Sequence, residues 1–312
     1  MATVTGARPA GWLLTLLVLV SMARAQAPSA ARSAENGRTK AATEAQWSVG
    51  TNPEHLVNGV PLLIEVAPPM PLKSLAADWL GHTLAFSAAS DGRWLAFAGV
   101  SLETKPGKVP LELHGTTVDG RPITLTREFE VGEEKYPTVE LAVDTKFTAP
   151  SPEQQEIIKR DQEIKQKTFA EVSAQREWAG KFVAPVDKPI SDIFGTRRVF
   201  NGVTKSVHQG LDFRAPAGTP VAAVNAGTVI LAQPLYFEGN CVVIDHGQGL
   251  LTLYLHLSEF KVKAGDAVKA GQVIGLSGAT GRATGPHLHL AVRWQGTYLD
   301  PAALLRLPVP AS

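Results

Sequence analysis

The sequence predicts a mainly β protein built from an Ig-like β-sandwich, a connecting helix and a C-terminal antiparallel β barrel or sandwich. Three observations carry this. Residues 46–148 break into short apolar or alternating runs separated by turn residues, residues 151–180 show helical spacing, and the chain from Phe182 onward returns to short runs punctuated by glycine. Strand and helix patterns do not alternate, so a parallel sheet with helical crossovers is not expected. At 312 residues the chain exceeds one typical domain.

The N-terminal region reads as an export signal. In residues 1–25, Arg8 precedes an apolar run from Trp12 to Val20 that ends in Ala23-Arg24-Ala25, an A-x-A cleavage pattern. That run is about half the ~20 residues a membrane span needs, which disfavours an anchor. No later stretch is long and apolar enough to span, so export to the periplasm is expected, with the cell wall or extracellular space as the alternative. Residues 26–45, rich in Ala, Ser and Thr without periodicity, read as a disordered tether.

The sandwich follows over residues 46–148. Candidate strands are Leu62 to Val66, Thr83 to Ser87, Trp94 to Leu102, Val109 to Val118, Ile123 to Val131 and Val139 to Val143, with turns at Pro106-Gly107 and Asp119-Gly120. His55, His82 and His114 are scattered through it and read as structural or solvent-facing. Ser151-Pro152-Glu153-Gln154 then opens a helix with an N-cap serine, an early proline and a capping-box glutamine. Ile157, Ile158, Ile164, Phe169 and Val172 recur at roughly helical spacing as far as Gly180, which suits a connector packed on a neighbour better than a partner-binding helix.

In residues 181–305 the strand patterns are Val221 to Val224, Thr228 to Ala232, Cys241 to Asp245, Leu251 to Leu255, Val273 to Leu276 and His287 to Trp294. Asn201-Gly202 marks a hairpin before His208, and Val262-Lys-Ala-Gly-Asp266 recurs six residues later as Val268-Lys-Ala-Gly-Gln272. The lone Cys241 cannot form an internal disulfide and reads as a buried small hydrophobe. A net charge of +1, without a Lys or Arg run, gives no electrostatic reason to expect nucleic acid.

Five of the eight histidines fall between residues 208 and 289. Four of them sit in three short patterns: His208-Gln-Gly-Leu-Asp212, Tyr254-Leu255-His256 and Gly285-Pro286-His287-Leu288-His289. In an extended segment, His208 and Asp212 share a face, as do His287 and His289. Zinc in hydrolytic sites takes three His or carboxylate ligands and keeps an open position. Spacing alone leaves open which of His287 and His289 would ligate. Singly, His256 in its apolar run suits a core histidine, and neither H-x-H nor H-x-x-x-D is specific. His246, between two strand patterns, is explained by a turn; Tyr254 and Asn240 are possible substrate contacts.

Together, in order, these patterns carry a resemblance. Residues from about 182 to 302 resemble the lysostaphin/LytM-type zinc metallopeptidases, whose framework also includes Phe194-Gly195-Thr196-Arg197, Gly239-Asn240, Ile244-Asp245-His246-Gly247 and the glycines Gly275, Gly278 and Gly281 around Thr280. The resemblance implies a duplicated hybrid motif domain in which His208, Asp212 and His289 bind one Zn²⁺, while His256 and His287 act as catalytic residues outside the ligand set. Two neutral imidazoles and one carboxylate would leave the metal net positive and able to activate water. It further implies cleavage of peptidoglycan peptide cross-links, with the N-terminal β-domain docking a cell-wall partner or covering the groove. A relative that has lost ligands and only activates a cell-wall amidase is the alternative, and here no ligand position is missing. The run from Val262 to Gly275 also resembles biotinyl or lipoyl carrier domains, whose cytosolic partners the export signal contradicts.

Overall fold

Alternation of apolar and polar residues folds the first half of the chain into two facing sheets. One has the order Ser48–Asn52, Pro61–Ala67, Trp94–Gly99, Ser87–Ala88; the other runs Leu56–Val57, Pro122–Gly132, Gly107–Thr117, Leu72–Trp79, His82–Ala85. In Gly107–Thr117 the residues Val109, Leu111 and Leu113 point into the core while Lys108, Glu112 and His114 face out, the period of two that the sequence showed. The Asp119-Gly120 hairpin forms, with Gly120 at φ 87°. Trp79 lies in the core and its indole donates to the Gly99 carbonyl at 2.9 Å, tying the two sheets together. The strand Leu72–Trp79 was not expected from the sequence, although Leu75, Ala77 and Trp79 alternate inward along it.

The structure, a computed structural model, describes residues 47–141, 144, 147, 149–170, 173–200, 202 and 204–309. The signal, residues 1–25, and the tether, residues 26–45, lie outside the described residues, as do Val143, Val172 and Asn201 of the expected elements. None of the described helices is long and apolar enough to cross a membrane.

The helix spans Pro152–Ala170 and begins as its capping box requires, with Ser151 Oγ accepting from Gln154 N at 3.3 Å and Gln154 Oε1 accepting from Ser151 N at 2.9 Å. It does not reach Gly180. The backbone after Ser173 spends its hydrogen bonds elsewhere: Gln248 N donates to Ser173 O at 2.7 Å and Glu177 N to His246 O at 2.8 Å. Ile164 and Phe169 pack on Leu231, Leu235, Cys241, Val243, Leu251, Leu253 and Ala291, so the helix covers one face of the C-terminal sheet as a packed connector. Asp161 is buried on that side, where it accepts from Tyr236 N at 2.6 Å.

That sheet runs Ile190–Asp192, Leu211–Phe213, Leu288–Trp294, Leu250–Leu257, Gly239–Asp245, Gly227–Leu235, Ala267–Val268, with Thr297–Leu299 added beside Leu288–Trp294. Among the described residues its two end strands are not paired with each other, so of the expected barrel or sandwich the open, sandwich-like form describes it better. A smaller sheet of Pro220–Ala222, Val273–Leu276 and Glu259–Phe260 shares its core through Val221 and Ile274. The six-residue repeat becomes two like turns, in which Lys263 N donates to Asp266 Oδ2 at 3.0 Å and Lys269 N to Gln272 Oε1 at 3.1 Å.

From Trp47 onward the described residues form one compact unit, because the two β-rich halves share an apolar core. Phe97 of the first half packs against Trp178 and Trp294, with ring centroids 6.1 and 6.4 Å away, and His82 lies 4.9 Å from Trp294. The strand Thr138–Leu141, read from sequence as the end of the sandwich, instead pairs in parallel with Arg197–Phe200 of the hairpin Arg197–Phe200/Thr204–Val207. It thereby leads the chain to the edge of the site.

Candidate metal centre

Two neighbouring strands set the site. Asp212 and His289 are direct cross-strand partners in Leu211–Phe213 and Leu288–Trp294, so their side chains rise from the same face. His208 precedes the strand rather than lying in it. Its backbone is held by Thr196, which accepts from His208 N, and by Gly195, which donates to His208 O, both at 2.8 Å. Gly210 makes the bend between them, and it has to be glycine: a Cβ there would lie 2.3 Å from His289 Nε2 and 2.5 Å from Leu290 O.

The three side chains converge. His289 Nδ1 lies 2.7 Å from Asp212 Oδ1, His208 Nε2 lies 3.1 Å from the same oxygen, and the two imidazole nitrogens are 3.0 Å apart. The Nδ1 of His208 donates to the Ile193 carbonyl at 2.7 Å and lies 3.4 Å from Asp192 Oδ2, so the proton of a neutral ring belongs there. Its Nε2 is then a lone pair facing a carboxylate oxygen and a second imidazole. Acceptors gathered this closely call for a cation, and two imidazoles with one carboxylate match the donor set of an open zinc site.

Charge around the cradle is organised by Arg198, which the sequence reading missed. Its guanidinium bonds Asp212 Oδ2 at 2.5 Å and Asp192 Oδ2 at 2.6 Å, fixing the ligand carboxylate through its second oxygen. The signal was present in the Arg197-Arg198 pair, but in a short strand only one of two adjacent residues faces inward. Burial alone would raise the Asp212 carboxyl, yet the two imidazoles packed against it, His208 and His289, favour its ionised form and hold it well below the usual carboxylate range. Burial pushes His289 down against the opposing pull of Asp212, the direction that favours the uncharged ring a metal requires.

His256 and His287 stand beside the cradle, their ring centroids 4.7 Å apart. Regular alternation would send His256 into the core with Tyr254. Instead an extra residue bulges the strand, with pairings Val242↔Tyr254 and Asn240↔Leu257, and His256 takes φ 63°. The bulge turns its ring to the groove, where its Nδ1 donates to Thr280 O at 2.8 Å. His287 likewise donates from Nδ1 to Gly285 O at 2.8 Å, and its Nε2 lies 3.9 Å from Asp212 Oδ1. In each ring the Nδ1 contact is a backbone carbonyl, which leaves Nε2 as the atom free to face the groove. Burial, with the charges of His287 and His289 next, pushes His256 down to about 3.

These groups line a groove of about 800 Å³ whose walls include Phe200, Phe237 and Arg282. Of the described residues before Ile190, only Leu141 lines it, so the sandwich does not cover it. Tyr254 is fully buried, its hydroxyl bonded to Val224 N at 2.8 Å and Thr252 Oγ1 at 3.1 Å, and is no substrate contact. Asn240 is tied by its backbone to Thr280 Oγ1 at 2.9 Å and does not line the groove. Cys241 is buried, and burial pushes its thiol up. Asp78, Glu112 and His114 form a second cluster of ligand-type groups, fully on the solvent side of the sandwich.

His246 stays out of the site. It is buried between Ala226 O, 2.6 Å from Nδ1, and Thr252 Oγ1, 2.7 Å from Nε2, and burial pushes it down from 6.5 to about 4. Below the ordinary pKa an unfolded chain takes up a proton that the folded one refuses. Stability from this residue is therefore full above about pH 6.5 and falls by roughly 3 kcal/mol as the pH drops to about 4. Urea midpoints measured across that window should slope less in His246→Gln; an identical slope in both proteins would contradict this.

Comparison with known proteins agrees with the geometry. The model of peptidase family M23 matches residues 206–301, which hold all five site residues. The peptidoglycan DD-endopeptidase ShyA of Vibrio cholerae is 51% identical over 132 residues, 41% of this chain and 30% of that protein. The DD-carboxypeptidase/endopeptidase Mpg of Neisseria meningitidis is 43% identical over 121 residues, 39% of this chain and 28% of its own length. The chain thus spans about 30% of the length of these curated relatives. The lysostaphin catalytic domain of Staphylococcus simulans, 35% identical over 38% of this chain and 93% of its own, gives a TM-score of only 0.36, so the likeness to that branch is partial. A solved Pseudomonas aeruginosa chain assigned to peptidase M23 is 32% identical over 80% of this chain and 95% of its own, with a TM-score of 0.60. Shared along nearly the whole of that structure, and carrying a metal cradle of the right donors, this chain belongs to peptidase family M23.

Proposed function

We propose that the protein is an exported zinc metalloendopeptidase that cuts D,D amide bonds in the peptide cross-links of bacterial peptidoglycan. The observation that carries this reading is the convergence of His208, Asp212 and His289 on one point in an open groove, with two further imidazoles beside it. The identity to the Vibrio DD-endopeptidase supports the substrate class, and residues 1–25 support export. Zinc held by the three side chains would polarise the scissile carbonyl and make a water nucleophilic near neutral pH.

The chain's own groups then handle the proton. His256 and His287 each lock a proton on Nδ1 against a backbone carbonyl, so each offers Nε2 as an acceptor for the proton of the attacking water. Arg198 holds Asp212 and Asp192 in place throughout.

Purified, zinc-loaded protein incubated with cell-wall sacculi should release muropeptides whose masses report cut cross-links, and a chelator should stop the release until zinc is restored. Sacculi left intact by the zinc-loaded protein, or release unaffected by the chelator, would contradict the reading.

A further inference from the structure

Three arginines line the groove, and they are not equivalent. Arg198 is spent on Asp192 and Asp212, and Arg214 is solvent-exposed. Arg282 is half-buried and clamped between two aromatic walls, its guanidinium carbon 5.0 Å from the ring centroid of Phe200 and 4.8 Å from that of Phe237. Its backbone N also donates to Phe237 O at 2.9 Å, so both the main chain and the side chain of this loop residue are fixed against one wall.

The guanidinium carbon lies over both rings, and none of its N–H donors bonds a described residue. Glu238, whose negative charge reaches Arg282, is itself held by Lys165 of the helix at 2.5 Å. Burial, with the like charge of Arg198 next, works against the charged form of Arg282. A cation kept in such a place with its donors free is costly alone and favourable with an anion in the groove. The planar fork suits a carboxylate.

We propose that Arg282 binds the free carboxylate of the residue on the amine side of the bond to be cut. The proposal deepens the peptidoglycan reading above and rests on it. In a D,D amide the amine-side residue carries its own α-carboxylate, one carbon from the scissile nitrogen. This holds whether that residue is a terminal D-amino acid or the D-centre of a diamino acid in a cross-link. One arginine would then serve both cuts, and the groove would select D,D bonds over amides inside a continuous L-peptide, where that carboxylate is consumed.

The test compares kcat/KM of the full, zinc-loaded chain on two synthetic peptides with the same D,D amide, one ending in the α-carboxylate and one in the carboxamide. The wild type should prefer the carboxylate by roughly 10- to 100-fold, the worth of a charge-assisted hydrogen-bond pair. In Arg282→Gln the ratio should fall to near one, and in Arg282→Lys, which keeps the charge without the fork, to an intermediate value. A wild type that cuts both peptides equally would overturn the proposal. So would a preference that survives in Arg282→Gln but is lost in Arg214→Gln. If the wild type cuts neither peptide, the hydrolase reading fails, and the ratio of equilibrium affinities for the same two peptides then decides the carboxylate site on its own.

Discussion

Replacing His289 with alanine should abolish stoichiometric zinc binding and lower kcat/KM on cell-wall peptides on the order of 1,000-fold or more. Changes to groups that merely orient a metal ligand already cost about 10- to 100-fold, and His289 is at the centre of the cradle. Its Nδ1 is 2.7 Å from Asp212 Oδ1 and 3.0 Å from His208 Nε2, so its loss leaves two donors and a void. Gly210→Ala should reach a similar end without touching a ligand, because the added methyl would lie 2.3 Å from the His289 ring and the Leu290 carbonyl at 2.5 Å blocks the other way out. Zinc content by mass spectrometry of the native protein and turnover of a defined peptide check both variants. Full zinc retention in His289→Ala would show that the ligand set is wrong.

Trp294→Ala should cost about 3–5 kcal/mol and lower the stability of the two β-rich halves together. Trp294 is buried on the last strand position of the catalytic sheet, against Phe97 and His82 of the sandwich. Its indole N–H, like that of Trp178, has no acceptor among the described residues, so packing alone holds it. A shared core of this kind predicts one cooperative unfolding transition, read equally by probes in either half. It also predicts that removing residues 26–180 leaves Trp294 and Phe182 exposed and the remainder prone to aggregate, rather than freeing an active enzyme from a lid. Two well-separated transitions, or a soluble and stable truncated protein, would contradict the shared core.

What could be read from sequence follows from where the determining interactions lie. Asp212 and His289 were legible because each sits in a short pattern whose neighbours recur in order. Which of His287 and His289 joins the cluster with Asp212 was not, because that depends on the Asp212↔His289 register between strands 77 residues apart. His256 shows the same limit. By alternation it belongs in the core with Tyr254, and only the bulge opposite Asn240 and Val242 sends it into the groove. Arg198 and Arg282 escaped notice since an arginine becomes informative through its partners, here Asp192, Asp212, Phe200 and Phe237.

The fold divides in the same way. Strands rich in β-branched and aromatic residues, such as Trp94–Gly99 and Pro122–Gly132, announced themselves, whereas Leu72–Trp79 hid its inward alternation behind Ala76 and Ala77. The helix start was written in its capping box. Its end was not, because the chain after Ser173 turns away to bond Asp245, His246 and Gln248 of the distant sheet. The choice between barrel and sandwich was left open for a long-range reason as well, since closure depends on whether Ile190–Asp192 meets Ala267–Val268.

X-ray absorption at the zinc edge of the protein reads the ligand set itself. The spectrum should show one zinc per chain, bound by two imidazole nitrogens and carboxylate oxygen with a solvent ligand, and loss of one imidazole in either His208→Ala or His289→Ala. An unchanged two-imidazole signal in both variants, or zinc that follows His256 and His287 instead, would contradict it.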